Sequence, residues 1–191
     1  MVIPKEKTMN AFTDLDAMNA AAATPAGRDH LWLELTAIAN KAFSAGEHAA
    51  ARTLYMRALT EAERLFALQR PEALTVPLPV IVNVSCHNLA ALLVHEGKDA
   101  EATEPLARAF DLLTGTASRR SAPIALRISC AQHLKYALAE LAAHIGKQGA
   151  TGAEIDGHVA RAKAAALSVH HAVEHLRRIA QSACGHCRLL N

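Results

Sequence analysis

The sequence predicts an all-α protein, and three features carry that prediction. Of its 191 residues, 42 are alanine and 24 are leucine, which are the two strongest helix formers. Only 4% are aromatic, and β-branched residues are sparse too, which argues against a β-sandwich or barrel. Apolar residues also recur at helical spacing in six segments, punctuated by glycine and proline. A chain of this length buries one core, so we expect one domain, or two at most.

The first two helices are predicted on either side of Gly46. Thr24-Pro25 indicates a helix start, because proline is tolerated in the first helical turn. The second helix is expected to end near Arg70, immediately before Pro71. The apolar stripes that define these two helices contain Leu31, Leu35, Ile38, Ala39 and Ala42, followed by Ala50, Ala51, Leu54, Tyr55, Ala58, Leu59, Ala62 and Leu65.

The third and fourth helices are predicted on either side of Gly97. Three prolines between residues 71 and 79 indicate a connector, after which an apolar run becomes helical and continues to Gly97. Asp99 is a good cap for the fourth helix. Pro105 conflicts with a start at that point, whereas a start at Thr103 would put the proline in the first turn.

The fifth and sixth helices follow the same plan. Ser121-Ala122-Pro123 opens the fifth helix, whose apolar stripe leads to Gly146. The sequence from Thr151 to Glu154 has the pattern of a capping box, in which two residues bond each other's backbone at a helix start. The last helix is expected to run from there to about Ala183.

These helices form a repeat whose units are about fifty residues apart. Gly46, Gly97 and Gly146 are predicted to occupy the same place in three helix hairpins, and residues 147–152 are interpreted as an insertion in the third. Two positions recur before each glycine. Seven positions before each glycine stands a small residue: Ala39, Ala90 and Ala139. Eight positions before each glycine stands a large aliphatic residue: Ile38, Leu89 and Leu138.

A second pattern follows each turn, where small, large and small residues succeed one another. Ala51, Tyr55 and Ala58 in the first unit correspond to Ala102, Leu106 and Ala109 in the second. This arrangement resembles the tetratricopeptide repeat (TPR) over about residues 28–183, in units of about 28–70, 78–114 and 121–183. The resemblance implies three antiparallel helix hairpins stacked as a TPR-like right-handed superhelix. The tryptophan that the family carries near the start of a unit is absent, and Trp32 is assigned to the core.

The resemblance also implies a concave groove, lined by the first helix of each unit, that binds a peptide. Asparagine suits such a groove because its amide both donates and accepts hydrogen bonds with a peptide backbone. The groove residues implied here are Asn40, His87, Asn88, His133, Tyr136 and Glu140. The expected function is therefore a peptide- or protein-binding adaptor or co-chaperone-like module. In the alternative interpretation, the two asparagines only satisfy local helix ends or each other.

Some TPR proteins bind a C-terminal carboxylate with a clamp of two asparagines and three cationic residues. The matching positions in this chain are Thr36, Asn40, Asn88, His133 and Ala137. The two asparagines are present, but the strong cations are replaced or reduced to a histidine. The resemblance therefore implies contact with a peptide backbone rather than capture of a carboxylate.

A second functional hypothesis comes from the C-terminal tail, residues 184–191. Cys184, His186 and Cys187 include a C-x-x-C pair, which can occupy two positions on zinc or on copper(I). The protein would then be metal-binding or metal-responsive, although no cofactor is required by the groove hypothesis. Further ligands could come from mid-chain residues such as Cys130 and His133. The rise per residue of two antiparallel helices predicts that these two residues lie nearer to the histidines of the last helix than to the tail. A buried, unligated Cys130 is the alternative interpretation.

Charge and motifs exclude other classes of function. Twenty Lys and Arg residues oppose 18 Asp and Glu residues, so no broad basic field attracts nucleic acid. No apolar run approaches the length of a bilayer span, and no membrane partner is expected. No phosphate-binding glycine loop or nucleophile with its base is recognisable, so the protein is not expected to be an enzyme.

The first 27 residues are interpreted as a flexible arm. Asp14 and Asp16 stand where an export signal would need its apolar segment, which favours a cytoplasmic protein with reduced cysteines. A homo-oligomer that uses the groove for this arm is a third hypothesis.

Overall fold

The computed structural model describes residues 27–70 and 73–187, the last five of these by their backbone alone. This part of the chain forms six helices and contains no strand, which confirms the all-α prediction. The helices are α1 (His30–Ser44), α2 (His48–Leu68), α3 (Leu78–His95), α4 (Asp99–Ser118), α5 (Ile124–Lys147) and α6 (Gly152–Cys187). The prediction that the first helix starts at Thr24-Pro25 is wrong, because residues 27–29 are not helical and α1 begins at His30. Thr24, Pro25 and the arm before them lie outside the described residues.

Consecutive helices contact each other along the whole chain. Contacts also join α1 to α3, α3 to α5, and α4 to α6. The turns inside the three hairpins are three, three and four residues long. Each helix is therefore packed between its partner in the hairpin and the helices of the neighbouring unit.

The three hairpin turns share one hydrogen-bond pattern. Glycine ends each first helix with a positive φ of 78° at Gly46, 73° at Gly97 and 91° at Gly149. In each turn the next residue donates its N–H to a carbonyl five residues back: Glu47 to Ala42, Lys98 to Leu93 and Ala150 to Ile145. This is the Schellman motif, and glycine suits it because the left-handed conformation strains residues with a Cβ.

The prediction that Gly146 is the third turn glycine is wrong. Gly146 lies inside α5, and Gly149 takes the left-handed position three residues later. Residues 147–152 are therefore not an insertion, because the loop is only one residue longer than the other two. The repeat is also more regular than expected, since Gly46, Gly97 and Gly149 are 51 and 52 residues apart.

The fourth helix begins at Asp99, not at Thr103, and continues through Pro105. Asp99 is its first residue and not its cap, because Lys98 takes the N-cap position and makes no side-chain cap bond. Proline has no N–H to donate to the carbonyl of Glu101, one turn earlier. Glu101 is exposed, so water can satisfy that carbonyl, while Pro105 itself is buried against the neighbouring helices. Tertiary packing thus outweighs the local cost of the proline.

The capping box at the start of α6 is confirmed. Glu154 Oε2 accepts hydrogen bonds from the N–H and hydroxyl of Thr151 at 2.7 and 2.9 Å, and the Glu154 N–H donates to Thr151 Oγ1 at 3.3 Å. The helix ends at Cys187, four residues beyond its expected end. Its side chains from His175 to Ser182 are all exposed, including Leu176 and Ile179.

The core is continuous through all six helices and is centred on large side chains that are fully buried. Trp32 is completely buried, as expected, and its indole N–H donates to Ser85 Oγ at 2.7 Å, joining α1 to α3. Arg127 is buried between helices, where its guanidinium donates to the Ala117 and Ser168 carbonyls at 2.9 and 3.3 Å. These polar contacts fix the packing of helices that alanine alone would leave loosely specified.

By length and composition alone, α3 is apolar enough to cross a membrane, which differs from the expectation for this sequence. More than half of it is buried inside the protein, however, and a core helix passes the same test. No other helix in the described ranges does so.

Candidate functional site

Side chains of α3 and α5 form a continuous surface, which we call the α3–α5 face and define by His87, His133, Tyr136 and Glu140. His133, Tyr136 and Glu140 are three and four residues apart, so they lie on one side of α5. The face is joined across the helices by a contact of His87 with Glu140. The structure therefore brings together four of the six predicted groove residues.

His87 Nδ1 and Glu140 Oε1 are 3.0 Å apart, and both side chains are 39% exposed. The hydrogen bond to Glu140 raises the pKa of His87 above its usual value of 6.5, and the negative charge of Glu140 adds to the effect against the opposing cost of burial. The pair therefore becomes a charged bridge between α3 and α5 when the imidazole is protonated.

We expect this bridge to stabilise the protein more in mild acid than in base. The pKa of His87 is higher in the folded protein than in the unfolded chain, where it is about 6.5. The bridge therefore contributes its full stabilisation at pH values below the unfolded pKa, and this stabilisation is lost as the pH rises through the folded pKa. Glu140→Gln should therefore lower the free energy of unfolding more at pH 5.5 than at pH 8.5, by less than about 1 kcal/mol because the pair is partly exposed. Urea unfolding at both pH values measures the effect, and it should disappear in a His87→Gln background. An equal loss at both pH values would contradict this assignment.

His133 and Tyr136 form the aromatic part of the α3–α5 face. Their ring centroids are 6.1 Å apart, and the Lys135 ammonium lies 4.8 Å from the centroid of the Tyr136 ring. Burial, with a smaller contribution from the charge of Lys135, lowers the pKa of His133. Its neutral form, which both donates and accepts hydrogen bonds, is thereby favoured. Tyr136 is 48% exposed and presents a large aromatic side chain to solvent.

Asn40, the predicted groove residue of α1, is partly buried, and its side chain contacts α2. Its Oδ1 accepts a hydrogen bond from the Tyr55 hydroxyl at 2.8 Å, and burial raises the pKa of Tyr55 to about 12. Tyr55 therefore remains a donor across the physiological pH range and holds the amide in one orientation.

Asn88, by contrast, does not lie on an accessible surface. It is only 3% exposed, so this predicted groove residue is part of the protein interior in the described structure. Successive residues of an α-helix are about 100° apart around its axis. The side chain of Asn88 therefore points into the core, although that of His87 lies at the surface. The clamp positions Thr36 and Ala137 are buried as well, so the described structure does not present the clamp's arrangement at its surface.

The mid-chain cysteines are core residues. Cys86 and Cys130 are at most 1% exposed, and burial raises the pKa of each thiol to about 12. Both thiols are therefore protonated and poor metal ligands at neutral pH. Among the described residues, no group of three or more His, Cys, Asp or Glu side chains could hold a metal ion, so Cys130 and His133 are not joined by histidines of α6.

The tail hypothesis concerns side chains outside the described structure. The backbone of Cys184, His186 and Cys187 belongs to the end of α6, but their side chains are not among those described.

One further pair of residues was not predicted from the sequence. His48 at the start of α2 and His95 at the end of α3 meet with their Nε2 atoms 3.2 Å apart. The residues are 47 positions apart in the chain, and no sequence motif connects them. Only the packing of the first unit on the second reveals the pair.

Comparison with known proteins gives a family but no described activity. Residues 30–181 match the family described as "Protein of unknown function (DUF2753)". No curated protein and no solved structure matches the chain. The family match begins with α1 and extends far into α6, which is most of the sequence. The chain therefore belongs to the DUF2753 family.

Proposed function

We propose that this protein is a TPR-like adaptor that binds an extended segment of a peptide or protein partner across α1, α3 and α5. The repeated Schellman turns and the contacts of α1 with α3 and of α3 with α5 support a superhelical stack of three hairpins. In such a stack the first helices lie side by side, so a partner can run across all three.

The observation that carries this proposal is the α3–α5 face. Its side chains offer an exposed aromatic ring, a neutral imidazole and a histidine–carboxylate pair on adjacent helices. Exposed tyrosine is enriched among the residues that dominate binding energy at protein interfaces. The polar groups beside it can bond the backbone of an extended peptide, which supplies one donor and one acceptor per residue.

Asn40 extends the proposed surface to α1, but Asn88 is no longer included. An amide that is held by Tyr55 loses little conformational entropy when it binds, which favours affinity. We therefore assign peptide contact to Asn40, His87, His133, Tyr136 and Glu140.

Selection of binding peptides from a random library tests the proposal and requires no identified partner. Twelve-residue peptides selected by phage display on the full chain should bind the purified protein in fluorescence anisotropy. We expect Tyr136→Ala to weaken binding by about 30-fold, as for a central aromatic contact worth about 2 kcal/mol. Asn40→Ala should weaken it by about fivefold, the cost of one neutral hydrogen bond.

Met56→Ala is the matched control, because Met56 is similarly exposed, at 54%, but lies on α2. It should change the affinity by less than twofold, and circular dichroism should show the same helicity in all variants. Failure to select any peptide, or an equal loss with Met56→Ala, would count against the proposed surface.

A further inference from the structure

We propose that His48 and His95 bind a divalent transition-metal ion of the zinc type through their Nε2 atoms, so that the ion joins the first two hairpins. The site is separate from the α3–α5 face and from the cysteines of the tail. It does not depend on the proposed peptide-binding function.

The distance between the two nitrogens is the first argument. Zinc binds imidazole nitrogen at about 2.0–2.1 Å, so two ligands at a tetrahedral angle stand about 3.3 Å from each other. The Nε2 atoms of His48 and His95 are 3.2 Å apart. The separation of the two nitrogens therefore already matches that of two ligands of one ion.

The rings must turn to bind the ion. Their centroids are 4.5 Å apart, with an angle of 51° between the ring planes. Two imidazoles on one tetrahedral zinc ion have centroids about 5.2 Å apart, because each nitrogen then points at the ion. The ring bodies therefore swing apart when the ion binds, while the two nitrogens keep nearly the same separation.

The surroundings hold both rings in this arrangement. Phe43 makes edge contacts with His48 and His95, with centroid distances of 5.6 and 5.4 Å. His48 is the first residue of α2 and His95 is the last of α3, so each backbone is fixed by its helix. The two rings are thus held close together before the ion binds, which reduces the entropic cost of binding.

The donor set indicates the class of ion. Neutral imidazole suits zinc, copper(II) and nickel(II), whereas magnesium and calcium prefer oxygen ligands. Because no third protein ligand joins the pair among the described residues, water completes the coordination. Glu96 adds negative charge nearby, but its Oε2 is paired with Lys98 at 2.7 Å and Arg52 at 3.3 Å.

Zinc titration of the untagged full chain tests this site. The parent protein carries Cys184→Ser, His186→Gln and Cys187→Ser, so that the tail does not compete. We expect about one equivalent of zinc to bind, and His48→Gln and His95→Gln each to weaken that binding by at least about tenfold. At a zinc concentration ten times the dissociation constant, the unfolding midpoint of the parent should rise by about 3 °C. Neither variant should show this rise at the same zinc concentration.

His175→Gln is the matched control. It removes the other pair with chelating spacing, His171 and His175, which are exposed one turn apart on α6. Zinc binding should survive this substitution. The proposal is overturned if the parent binds no zinc, if His48→Gln and His95→Gln bind it as tightly as the parent, or if His175→Gln abolishes binding. Unfolding midpoints in EDTA that match the parent confirm that the variants are folded.

Discussion

Trp32→Ala is expected to lower the free energy of unfolding by about 3–5 kcal/mol, the usual cost of removing a large buried aromatic side chain. Trp32 is completely buried between α1 and the helices that follow it. Its removal leaves a cavity and also deprives Ser85 Oγ of the indole donor at 2.7 Å. A loss of this size is a large share of the stability of a typical domain.

Urea unfolding followed by far-ultraviolet circular dichroism measures this effect. Fluorescence is unsuitable because Trp32 is the chain's single tryptophan. Trp32→Phe fills much of the space and should cost less, about 1–2 kcal/mol with the lost hydrogen bond. Leu31→Ala, at a neighbouring side chain that is 46% exposed, should cost less than about 1 kcal/mol. Similar losses for Trp32→Ala and Leu31→Ala would contradict the assignment of Trp32 to the core.

Asp29→Ala is expected to cost about 2–4 kcal/mol, because it leaves backbone donors without an acceptor. The carboxylate is completely buried just before α1. Its Oδ2 accepts hydrogen bonds from the Thr75 N–H at 3.0 Å, the Thr75 hydroxyl at 2.7 Å and the Val76 N–H at 2.8 Å. Asp29 therefore fixes the connector before α3 to the start of α1.

The same unfolding measurement should separate Asp29 from its controls. Thr75→Val removes only the hydroxyl bond and should cost about 1 kcal/mol. Glu34→Ala changes an exposed acid on α1 and should change stability by less than about 0.5 kcal/mol. Gly27→Ala should also be destabilising, because its Cβ would stand 2.5 Å from Asp29 Oδ1. If Asp29→Ala lowers the free energy of unfolding by no more than Thr75→Val does, the hydrogen bonds from the backbone N–H groups to Asp29 do not stabilise the fold to the expected extent.

The local features of the fold were predictable because they depend on residues close together in the chain. The capping box of α6 joins residues three positions apart, and the Schellman turns at Gly46 and Gly97 join residues five positions apart. Gly149 was missed because Gly146 stands three residues before it. Both glycines permit the left-handed conformation. The choice between them depends on how far α5 continues before α6 packs against it.

The candidate site was less predictable than the fold, and Asn88 shows why. A helical sequence pattern places a residue on one side of a helix, but it does not say which side the neighbouring helices cover. His87 and Asn88 are adjacent in the chain, yet the first lies on the α3–α5 face and the second is buried. The resemblance to a repeat family therefore predicted a surface residue at a position that the structure buries.

The six helices, most of their ends and the repeat of about fifty residues follow from the amino-acid sequence. Alanine, leucine, glycine and the caps act through the backbone within one or two turns, so their effects are visible in a linear chain. The third turn glycine, the burial of Asn88 and the meeting of His48 with His95 emerge only when the helices pack. They depend on contacts between helices, such as that of His48 with His95, 47 positions apart in the chain, which the helical periodicity of the sequence does not contain.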